Sequence, residues 1–200
     1  MKNLKKLILV LITLFAISCS KKDDAPAISP AFEVVNATSK PIPDAPQALA
    51  GSIVVPINID KEGIIADPSK VTIVLSFSHP NSEDIIVSLV SPNNNRFTLI
   101  RQLNGNDNFL NSNVLAFNSS FIGSIPFQNN NVNIPAGNYK PTAGTLTNYE
   151  TTRFPLSSME TFFKDRSIKG EWNLVITDYI PNNVGSFDFC KIKFAERALK

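Results

Sequence analysis

FSHPNSEDIIVSLVSPNNNRFTLI, residues 77–100, is the stretch from which the fold is read. An apolar run ends at Phe77, and a polar turn through His79 and Pro80 closes at Asp84. A second apolar run covers Ile85 to Val90, a Ser-Pro-Asn-Asn-Asn corner occupies 91–95, and a third run passes through Phe97 and Leu99. Short β-rich segments separated by Pro, Asn and Ser clusters are the pattern of a hairpin-built sheet. The stretch is therefore expected to be a central hairpin, with His79 and Asp84 fixing its turn.

Upstream, Val71, Ile73, Leu75 and Phe77 alternate with Thr72, Val74, Ser76 and Ser78, a period of two that predicts a strand with one face on the core. Ile85, Val87 and Leu89 share a face while Ile86 and Val90 flank Ser88 on the other, which predicts a central strand covered on both sides. Pro56 lacks an amide donor, so the apolar run Ile53–Ile59 is expected at an edge or with a bulge. Trp172, Leu174 and Ile176 share one face of a later strand. In the closing run 185–194, Phe187 and Phe189 have one parity and Ile192 and Phe194 the other; a bulge near Cys190 reconciles them. Ser157-Ser-Met-Glu160 matches a capping box, so one short helix is expected at Phe162 and Phe163. About eight strands with turn signals between them predict an all-β fold, an antiparallel β-sandwich of jelly-roll type.

Residues 1–18 stand apart. Lys2, Lys5 and Lys6 precede an apolar run from Leu7 to Phe15, too short to span a bilayer of about 30 Å, and Ala16-Ile17-Ser18 precedes Cys19. This anatomy resembles the lipobox of bacterial lipoproteins, which implies a signal peptide at 1–18 and acylation of Cys19. Several acyl chains on one residue give stable membrane anchoring. Residues 19–31 have linker composition and resemble the charged tether of Bacteroidota-type lipoproteins, which implies an outer-membrane location. The domain proper is expected over 32–197. Without the leader the chain holds 16 Lys and Arg against 17 Asp and Glu, so no basic field for nucleic acid is present. With Cys19 acylated, Cys190 is left as a lone thiol in an apolar run, read as a small core residue.

The ordered motifs resemble one family, the P domain (P/Homo B domain) that follows the catalytic domain of subtilisin-like proprotein convertases. They are Ile42-Pro43-Asp44, then Phe77-Ser78-His79 leading to Asp84-Ile85, then Ser88-Leu89-Val90-Ser91-Pro92. Gly137-Asn-Tyr-Lys-Pro141 and Gly170-Glu-Trp-Asn-Leu174 through Asp178 to Gly185 follow, so the likeness covers roughly residues 41–194. It implies a jelly-roll module that packs against and stabilises a protease. Departures are Asn93-Asn94-Asn95 for a Gly-Thr corner, Phe117-Asn118 for Phe-x-Asp, and an insertion within 142–169. The label the family would hand down is serine-type endopeptidase, yet no protease domain is expected in this chain.

His79 is the only histidine, and there is no Gly-x-Ser-x-Gly elbow, HExxH motif or His-rich metal set. A role in the turn is the expectation for it, and no enzyme activity is expected. Asp84, Asp107 and Asp178 fall at strand ends or in Asn-rich loops, where oxygen ligands suit Ca²⁺, a cofactor that some members of the family bind. Their alternative role is to bond turn amides. Trp172, Tyr139, Tyr149 and Tyr179 are candidates for a sugar-stacking platform, although the parity of Trp172 points to the core. Two binding functions result: a protein-binding or protease-associated stabilising module, and a carbohydrate- or surface-binding one.

Overall fold

A computed structural model describes residues 28–46, 50–103, 107–126, 131–142 and 158–200. The leader, Cys19, most of the tether, Tyr149 and most of the 142–169 insertion lie outside the described residues. The described residues form ten strands: β1 (Phe32–Asn36), β2 (Lys40–Ile42), β3 (Gly51–Ile59), β4 (Val71–Ser78), β5 (Ile85–Val90), β6 (Arg96–Ile100), β7 (Val114–Phe117), β8 (Gly137–Tyr139), β9 (Gly170–Asp178) and β10 (Gly185–Phe194). One sheet runs β1-β10-β4-β7-β8, with β2 also on β10, and the other runs β3-β9-β5-β6. Without the three-residue strands β2 and β8, the remaining eight divide into two four-stranded sheets in jelly-roll order. The expected count of about eight misses these two short strands, and among the named strands the all-antiparallel expectation fails where β8 lies parallel to β7.

The stretch 77–100 is one hairpin and one crossing. β5 and β6 pair around Ser91–Asn95, where the Ser91 amide donates to the Asn95 carbonyl at 2.9 Å. Asn94 takes a φ of 58°, the left-handed value that Asn tolerates among non-glycine residues. β4 and β5, however, belong to different sheets, so residues 79–84 cross from one layer to the other. Residue periodicity is blind to this, because an in-sheet turn and a between-sheet corner use the same turn formers.

Other expectations hold in detail. β5 lies between β9 and β6 with Ile85 to Leu89 all buried. β3 is an edge strand, and the Pro56 carbonyl accepts from Asn36 Nδ2 at 2.7 Å. The β10 register jumps between Phe187 and Phe189, one or two residues before the expected place, so Phe187 and Cys190 both reach the core. Asp188, at the jump, accepts from Ser76 Oγ at 2.8 Å.

The far end of the sandwich is closed by helix α1 (Met159–Phe163). Its cap is Ser158, whose hydroxyl accepts from the Thr161 amide at 3.0 Å, one residue later than the predicted box. Phe162 and Phe163 pack on Trp172 with ring centroids 6.2 and 5.7 Å away, and the indole N–H donates to the Ile168 carbonyl at 2.8 Å. Packing extends beyond 32–197: Ala198 and Leu199 are buried, and the Leu199 amide donates to Ser29 Oγ. No helix among the described residues is long and apolar enough to cross a membrane.

Candidate functional site

Strand directions gather the candidate residues at the end opposite α1. β4 ends at Ser78 and hands on to His79; Asp84 precedes β5; Asp178 ends β9, where it pairs with Ile85. Each strand stops there for a local reason. Pro80 has no amide to continue β4, and the Asp178 carboxylate turns the chain by accepting from the Ile180 amide at 3.1 Å. His79, Asp84 and Asp178 are all fully buried, and one ligand-type atom from each lies within 4.8 Å of the others.

His79 Nδ1 is 2.8 Å from the Asn81 carbonyl and Nε2 is 3.3 Å from Asp178 Oδ2, so both ring nitrogens are engaged. A hydrolytic triad instead directs one ring nitrogen at a carboxylate and the other at a nucleophile. Asp84 Oδ2 accepts from Asn183 Nδ2 at 3.1 Å, whereas its buried Oδ1 has no hydrogen-bond partner. Burial, the largest influence, pushes the Asp84 carboxyl up to about 6; His79 works against this and the nearby Asp178 adds to it. Burial raises Asp178 as well.

Space around the cluster is tight. A Cβ on Gly185 would sit 2.5 Å from the Ser78 carbonyl oxygen and 2.8 Å from His79 Cδ2, so only glycine lets β10 pass this closely. The Phe109 amide donates to the His79 carbonyl at 2.9 Å, and the Tyr179 amide donates to the Asp84 carbonyl at 2.9 Å. The cluster thus ties His79, the residue just after one sheet's central strand, to the ends of two adjacent strands of the other.

The sequence-predicted set is brought together in part. Asp84 and Asp178 meet, but the third member of the group is His79 and not Asp107. Asp107 Oδ1 accepts from the Val132 amide at 3.2 Å, and its carbonyl accepts from the Ser82 amide at 2.8 Å. Asp84 bonds Asn183, not the amides of its own turn. Asn81 and Asn183 went unnoticed in the sequence; their signal was a place in the two turns flanking the candidate acids. Trp172 and Tyr139 are buried, so neither is open for sugar stacking. Cys190 is buried and its thiol is pushed up to about 12, an inert core group.

No protein-family model and no curated protein matches the chain. Among solved structures, a serine protease of Aeromonas sobria aligns at 14% identity and a TM-score of 0.39, over 83% of this chain and 27% of that one. The complex of Aeromonas sobria serine protease and the chaperone aligns at 14% identity and a TM-score of 0.39, over 84% of this chain and 26% of that one. The chain thus spans about a quarter of the length of these solved chains. At this similarity the alignments carry no argument about activity.

Proposed function

We propose that the protein is a non-catalytic, lipid-anchored envelope module of the P/Homo B type. It binds and stabilises a protein partner, a separately encoded protease or another surface protein. The observation that carries the reading is the meeting in space of motifs far apart in sequence. Gly185 packs against Ser78, His79 and Ile42, joining the first, second and last motifs, and the Asp44 carboxylate accepts from the Asn182 amide at 2.9 Å. Gly170, at a φ of 120°, presses on Pro92 so closely that a Cβ would lie 2.9 Å from the proline ring, joining the Ser-Pro and Gly-x-Trp motifs.

The motif residues serve the fold, and the one histidine is fully buried; both support binding over cutting. On this reading any endopeptidase activity belongs to the partner. The carbohydrate reading draws less support, because Trp172 and Tyr139 are spent in the core, which leaves the half-buried Tyr179 as the accessible aromatic among the described candidates. The test is purification of the acylated chain from native membranes in mild detergent. A protease or surface protein is expected at stoichiometric yield, and its thermal inactivation or unfolding should slow when purified module is added back. A module retained on glycan arrays, with no protein partner that it stabilises, would overturn the proposal.

A further inference from the structure

The geometry points to a divalent transition-metal site, of Zn²⁺ type, formed by His79 Nε2 and the carboxylates of Asp84 and Asp178. The first observation is an orphan: Asp84 is fully buried and its Oδ1 has no partner. A buried, unpaired carboxylate oxygen costs several kcal/mol. A cation in contact with Oδ1 would remove that cost.

The second observation is the spacing of His79 and Asp178. Their 3.3 Å separation is long for a charge-assisted hydrogen bond of about 2.7–2.9 Å. It equals the edge, about 3.3–3.4 Å, of a tetrahedron around Zn²⁺ with bonds of about 2.0–2.1 Å. His79 is also anchored on Asn81, with Nδ1 2.8 Å from its carbonyl and 3.2 Å from its amide; in the tautomer that donates from Nδ1 to the carbonyl, as metal-bound histidines do, the Nε2 lone pair faces the acids. Asp84, within 4.8 Å of both, is the ligand that closes on the ion.

Charge agrees. The principal charged neighbours of the two acids are His79, Glu83, Asp44 and each other, with no Lys or Arg among them. Two carboxylates, a neutral imidazole and a dication sum to zero. The imidazole also separates this set from the three-aspartate calcium set expected from sequence, since Ca²⁺ takes 6–8 oxygen ligands whereas imidazole suits Zn²⁺.

The chain's single histidine makes the test specific. Untagged protein stripped with chelator is titrated with Zn²⁺ alone, Co²⁺ alone or Ca²⁺ alone. Binding is followed by calorimetry, melting temperature and the ¹⁵N signals of the one imidazole. One equivalent of Zn²⁺ is expected to bind, to raise the melting temperature by several degrees and to move the Nε2 resonance. Asp84→Asn should weaken binding at least tenfold while melting cooperatively in chelator. Failure of Zn²⁺ and Co²⁺ to bind overturns the proposal. So does binding that leaves the imidazole signal unmoved, or stabilisation by Ca²⁺ alone; none of these needs a variant that folds.

Discussion

Replacing His79 by Ala in the chelator-treated protein removes the group that joins the two sheets at the loop end. The loss has two parts. Asp178 keeps its bond from the Ile180 amide but loses the imidazole 3.3 Å from its Oδ2, and leaving a buried carboxylate short of a partner costs about 1–3 kcal/mol or more. The ring itself is fully buried, so a cavity adds to the cost. A domain of this size loses about 2–4 °C per kcal/mol, which places the fall in melting temperature on the order of 10 °C. Circular dichroism melts of His79→Ala, Asp178→Ala and the double variant measure both the cost and the coupling. The double variant is expected to cost clearly less than the two singles together. Melting within 2 °C of wild type, or strict additivity, would refute the claim that this pair locks the sheets.

Three further outcomes are expected. In the metal-free protein Asp84 titrates near 6 when folded and at its ordinary 3.8 when unfolded, so the folded state holds its proton longer. This contribution is full below about pH 4 and is lost as pH rises through about 6, a fall of about 2–3 kcal/mol that denaturant titrations should show and Asp84→Asn should flatten. Gly185→Ala drives a methyl into the Ser78 carbonyl and the His79 ring, so it should destabilise by about 1–3 kcal/mol or more in the same titrations. Cys19→Ser should abolish incorporation of labelled palmitate and release the protein from the membrane fraction; continued incorporation would remove the anchor.

The parts of the fold that could be read in advance are those set by neighbours along the chain. The strand at Val71–Ser78, the two-sided burial of Ile85–Leu89 and the edge placement of Pro56 depend on local periodicity and on one missing amide, although Val74 and Ser76 are buried as well, against the one-sided burial that the alternation predicts. The sheet to which β5 belongs does not depend on these. Pro80 and Asp84 are compatible with a hairpin or a crossing, and only the pairing of Ile85 with Asp178, far along the chain, decides between them. The site divides in the same way. Asp84 and Asp178 stood out as acids at strand ends, but the exchange of Asp107 for His79 follows from β4 ending against β9 across the layers. The parity conflict in β10 announced a bulge, while its placement at Asp188 was set by pairing with Ser76 on β4.

The proposal that this protein does not cut is tested most directly by a fluorophosphonate probe on the purified, partner-free protein. With both nitrogens of His79 engaged by Asn81 and Asp178, the account predicts no covalent labelling and no peptide cleavage. Labelling that appears in the wild type and vanishes in a folded His79 variant would contradict it.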